Sequence, residues 1–131
     1  MLMDIRNFIV TFIVFILVDL IWLGLIAKNL YSKHLGFIMS DKVNWPAAIL
    51  FYFIFIIGLL VFVITPAKSV GHALLLGAFF GFVTYATYDL TNLATLKDWP
   101  IIITVIDLIW GTVLAASTSS ISYIIIDKLG K

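Results

Sequence analysis

Three aspartates stand inside apolar stretches of the chain: Asp19, Asp89 and Asp107. A carboxylate at a helix centre in hydrocarbon costs roughly 2.5–3.5 kcal/mol even on the lenient insertion scale, so each is expected to face a protein interior and to hold a proton or meet a cation. Two of them occur in the same short phrase, VDLIW at 18–22 and IDLIW at 106–110, which sets a Trp three residues after the acid on the same helical face. Asp19, Trp22, Ile26 and Asn29 continue that spacing of three and four; Thr104, Asp107, Trp110 and Leu114 repeat it. In TYATYDLTNLATL, residues 84–96, Tyr85, Asp89 and Asn92 share a stripe flanked by Tyr88 and Thr95. Such a set can exchange protons or bind a cation. Asp19 and Asp107 are the expected acids, facing each other as a proton-sharing pair, with Trp22, Trp110, Tyr85 and Tyr88 as an aromatic wall. A Trp three residues from each acid would shield it from acyl chains and offer an indole donor. Asp89, near the end of its segment, is expected either to join the site or to snorkel toward water.

The elements that must position these residues follow from composition. With 63% hydrophobic and 11% charged residues, the 131-residue chain has too few polar side chains to cover a soluble globule. About 20 helical residues cross roughly 30 Å of hydrocarbon, and four stretches approach that length: residues 8–27, 47–64, 73–90 and 101–126. The expected fold is an all-α integral membrane protein, a single domain of four transmembrane helices with both termini on the same side. NWP at 44–46 and DWP at 98–100 each place a Trp at headgroup level and a Pro in the first helical turn, and Pro66 closes the second span. The second span has Tyr52 as its one polar side chain and is expected to serve packing and lipid contact. The longer connection, 28–45, is expected to lie along the interface as a partly helical segment. Gly77 and Gly81 on the third span, and the row Gly111, Ala115, Ser119 on the fourth, mark close helix contact. The hydroxyls around them, in AAST and SSISY, are expected to bond back to their own helix.

Measured along straight helices from the side of the termini, Asp19 comes about 16 Å in, Asp89 about 24 Å and Asp107 about 28 Å. The acids therefore predict a pocket open toward the opposite side, the loop side, with Asp19 at its floor. Orientation is undecided by charge: Arg6, Lys68, Lys128 and Lys131 balance Lys28, Lys33, Lys42 and Lys97. Either local detail fixes the topology or the chain inserts both ways and pairs antiparallel. The two DLIW phrases lie on spans of opposite direction, as an inverted repeat would place them.

The absence of cysteine excludes disulfides and thiolate metal sites, and a net charge of +1 gives no field to attract nucleic acid. The first apolar stretch is longer than a signal-peptide core and is expected to remain as a helix. His34 and His72 fall in separate loops, so no metal role is expected for them, and no cofactor motif is present. The residues fit best a binder or proton-coupled carrier of a small amphipathic or cationic molecule, built as a homodimer if it forms a transport path. A lipid- or isoprenoid-modifying enzyme, with Asp89 and Asp107 as acid and base or Mg²⁺ ligands, lacks any paired DxxxD, HExxH or nucleophile-elbow motif. An accessory subunit held together by its polar residues is the third reading.

The Trp three after Asp19, YDLTNLATLKDW closing the third span and DLIWGT in the fourth together resemble the small four-span bacterial membrane proteins grouped as domain of unknown function 2177. The resemblance covers essentially the whole chain. It implies a shared polar constellation at Asp19, Trp22, Tyr88, Asp89, Asn92, Asp107 and Trp110 and a place in the bacterial cytoplasmic membrane, and it implies no particular activity.

Overall fold

The apolar segments form helices throughout. The computed structural model describes residues 2–130, with side chains for 4–27 and 29–130. Lys131 and the Lys28 side chain, both counted above for orientation, lie outside the described residues. Helix α1 (Leu2–Trp22) runs through a π-helical turn (Leu23–Ala27) into α2 (Lys28–Leu35); α3 (Trp45–Leu59) ends in a second π turn (Leu60–Ile64); α4 (Val70–Thr95) and α5 (Ile101–Gly130) complete the chain. Four helical runs are long and apolar enough to cross a membrane: Asp4–Ala27, Trp45–Ile64, Val70–Thr95 and Ile101–Gly130. Their even number leaves both termini on one side. No strand occurs among the described residues.

Helix starts are set by local chemistry. Asn44 caps α3, its Oδ1 accepting from the Ala47 amide at 3.2 Å, with Pro46 in the first turn. Ser69 caps α4 by accepting from the His72 amide at 3.0 Å, and His72 Nδ1 accepts in return from the Lys68 amide at 3.0 Å. These reciprocal bonds satisfy donors that the helix leaves open, and they make His72 a capping residue. At the other end of the chain, Arg6 on α1 donates to the carbonyls of Leu129 and Gly130 at 3.2 and 3.3 Å, tying the two ends of the chain together.

Small residues and aromatics divide the packing between them. α4 and α5 form the most extensive helix pair. At their crossing, a Cβ on Gly81 would collide with the Gly111 carbonyl oxygen, and one on Gly77 would meet the Ala115 carbonyl at 2.7 Å. The two small-residue rows expected from the sequence therefore face each other, and their missing side chains let the backbones touch. α1 holds α3 through rings: Phe8 and Phe12 meet Phe53 edge-on with centroids 5.4 and 6.0 Å away, and Phe15 packs on Tyr52 and Phe55. α3 reaches α4 where Phe55 and Gly58 meet the Phe80 ring, and its π turn packs on both α4 and α5. Toward its N-terminus α3 stands away from α4, and Ile49, Leu50 and Phe51 are all exposed.

One expectation changes at this level. The helical part of the 28–45 connection is confined to Lys28–Leu35 and is continuous with the first span.

Candidate functional site

The acids gather in one layer. Asp89 and Asp107 each lie six residues from the loop-side end of their helices and Asp19 eight from Ala27, which puts the first two about 9 Å deep and Asp19 about 12 Å. By this count Asp19 is the deepest of the three.

The carboxyl that meets Asp107 is Asp89. Asp89 is fully buried and Asp107 is 7% exposed, and the two carboxyls lie close enough to interact electrostatically. Both Asp89 oxygens are sealed from solvent with no N–H or O–H donor directed at them. Two carboxylates are both acceptors, so this pair makes a hydrogen bond only when it holds a proton. Asp107 thus has Asp89 as its adjacent carboxyl while Asp19 faces it across a shared cavity, and Asp89 neither caps its helix nor snorkels. The physical reason is the glycine crossing: with no side chain at Gly81 and Gly111, α4 and α5 approach closely, and their acids, about one and two turns from these glycines, come together. Asp19 is half-buried and borders the same cavity as Asp107 from the other side, with Tyr85 between them and Tyr52 close by.

Asp107 takes a second partner from an unexpected place. Tyr31, on α2, donates its hydroxyl to Asp107 Oδ1. Tyr31 lies beyond the membrane span; burial raises its phenol above the ordinary range and Asp107 adds to the shift, which keeps it a donor. The sequence gives little sign of it. Nine residues separate Trp22 from Tyr31, two and a half α-turns, so an unbroken α-helix would set them on opposite faces. The π turn between them absorbs an extra residue and brings Tyr31 round to the cavity that Trp22 lines. Asn29, which straight α-spacing would align with Trp22, is exposed instead.

The repeated phrase has a direct structural result. Trp22 and Trp110 stack on each other with centroids 4.5 Å apart and planes 9° from parallel. Neither indole donates to an aspartate among the described hydrogen bonds; each Trp is held by the other, and Trp22 also lies near the Tyr31 hydroxyl. Tyr85 packs its ring over Gly111. Tyr88, 57% exposed, stands edge-on to Trp99 at 5.7 Å, with Asn92 one turn away beside its hydroxyl. Thr104 accepts from the buried Trp99 indole at 3.1 Å, locking the DWP corner rather than facing the acids.

Two cavities meet at this layer. One, of about 340 Å³, is lined by Phe51, Thr84, Tyr85, Tyr88 and Asp107. The other, of about 270 Å³, is bounded by Asp19, Trp22, Tyr31, Asp107 and Trp110, with Tyr85 and Tyr88 shared between the two. The expected residues are therefore brought together around Asp107, with Asn92 at the margin.

With the geometry in place, a family model described as "Predicted membrane protein (DUF2177)" matches residues 5–124. The chain belongs to this family. The match spans every acid, Trp and Tyr of the layer, so the constellation falls within what the family model covers. No curated protein and no solved structure matches the chain.

Hydroxyls elsewhere follow two patterns. Thr84, Thr87, Thr91, Thr95 and Thr112 bond back to their own helices, and among the AAST and SSISY hydroxyls expected to do so, Ser120 does. Thr118, Ser119 and Ser122 do not; they are fully buried, with no partner among the described residues, because their α5 face is pressed against neighbouring helices.

Proposed function

We propose that this membrane protein binds, and carries in exchange for protons, a small amphipathic cation, with Asp89 and Asp107 as the proton and cation site. The observation that supports this is a fully buried carboxyl with two undonated oxygens, set against a second carboxyl at the edge of an aromatic cavity. Leaving a buried acceptor unsatisfied costs about 1–3 kcal/mol, and more for a charged one. One shared proton removes that cost in the empty site. A cation donating N–H bonds removes it equally well, and if the proton then leaves, the charge of the site is unchanged. Tyr85 and Tyr88 offer ring faces to the cation, and Asp19 supplies a further acid on the route inward. The same reading takes the chain to sit in a bacterial cytoplasmic membrane and to need a second copy for a complete transport path, since four helices enclose little volume.

The test is calorimetry of benzylammonium binding to the purified protein in two buffers of different ionisation enthalpy. The wild type should release about one proton per cation bound. Asp89→Asn, whose amide donates to Asp107 in place of the shared proton, should fold and release none. Binding with no proton release by the wild type, or no binding, sinks the reading.

A further inference from the structure

Resting on that reading, we infer that the ligand is a single-chain alkylammonium amphiphile that reaches the carboxyl pair sideways from the bilayer, between α3 and α4. The helix arrangement leaves that opening. α3 is held to α4 at Phe55 and Gly58 against Phe80, and on the loop side of this contact the two backbones part. The larger cavity lies in that gap, with Phe51 of α3 and Tyr88 of α4 at its rim, 47% and 57% exposed.

Depth decides what those rim residues face. Phe51 is six residues from Trp45 and Tyr88 seven from Thr95, about 9–10 Å below the loop-side helix ends. With Trp45 at the headgroup level, the rim looks into hydrocarbon, not water. A ligand entering there must be soluble in lipid.

Size and charge then narrow its class. A volume of about 340 Å³ is roughly that of eleven waters at about 30 Å³ each, the low end for a ligand site. It takes a headgroup and the first few carbons; the remaining chain must lie outside, in the hydrocarbon. Asp107 closes the inner end, and behind it both Asp89 oxygens lack donors. A primary ammonium supplies three N–H donors to that pair, whereas a carboxylate headgroup would be repelled and a quaternary ammonium has no N–H to give.

The protein is reconstituted in phosphatidylcholine vesicles, photolabelled with a dodecylammonium ion bearing a diazirine close to the amine, and the adducts are mapped by mass spectrometry. Adducts should concentrate several-fold around Phe51 and Tyr88 relative to other lipid-facing rings such as Phe62 and Phe79, which are more exposed. Unlabelled dodecylammonium should abolish them, dodecyltrimethylammonium should compete weakly, and dodecanol and dodecanoate should not compete. Asp89→Asn should lose the enrichment, and the competition series holds without any variant. An even spread of adducts, or equal competition by dodecanol, overturns the inference. If adducts are even while benzylammonium still releases a proton, lateral entry alone fails; if benzylammonium also fails, the parent reading falls with it.

Discussion

At the scale of single residues, Asp107 is the meeting point: a buried acid touched by Asp89 from α4 and by Tyr31 from beyond the first span. These two partners do different work. Asp89 can share a proton with it, whereas Tyr31 only donates and tethers. Tyr31→Phe should therefore lower the thermal stability of the purified protein, by about 1–2 kcal/mol for a lost bond to a carboxyl, while proton release on benzylammonium binding persists. Asp89→Asn should do the reverse, keeping the fold and losing the proton. Identical behaviour of the two variants in both measurements would show that the partners are not distinct. The residue types of the site were legible in advance because an acid or an indole in a lipid-length segment is conspicuous by its cost. Which acid pairs with which was not, since that depends on how two helices cross.

Among the elements, the π turn at Leu23–Ala27 matters most to the site, because it decides which face of α2 returns to the bundle. Inserting one Ala between Ala27 and Lys28 should rotate Tyr31 by about 100° and reproduce the stability loss of Tyr31→Phe. Deleting Leu25 takes out the extra residue, returns the turn to α-spacing and should leave Tyr31 on the cavity, with stability retained. Comparable melting temperatures for insertion and deletion would contradict this account. Helical periodicity read from the sequence assumes 3.6 residues per turn throughout, so it aligned Asn29 with Trp22 and gave no sign of Tyr31. Glycine rows carry no such assumption, and the Gly77–Gly81 and Gly111–Ala115 rows meet where their spacing places them.

For the molecule as a whole, four spans with termini on one side follow from length and hydropathy, signals that packing cannot reverse. Orientation is another matter. The Lys and Arg on the two sides balance, so if no local detail fixes the topology, reporters fused to the carboxyl terminus should report both locations. Two added Lys at that end should hold it in the cytoplasm, and loss of Lys128 and Lys131 should shift it outward. A single unchanged orientation in all of these fusions would exclude a poised topology and with it an antiparallel pair. The gap between the first turns of α3 and α4 was not legible in advance, because the sequence shows α3 as uniformly apolar and gives no hint that these turns stand clear of α4.

That gap between α3 and α4 changes the variable that governs occupancy. A ligand that reaches Asp107 through hydrocarbon equilibrates with its mole fraction in the membrane, so aqueous concentration matters only through partitioning. Diluting loaded vesicles into buffer would leave a strongly partitioning ligand in place, whereas adding empty vesicles would draw it off. An affinity for such a ligand has a fixed meaning only per mole of lipid.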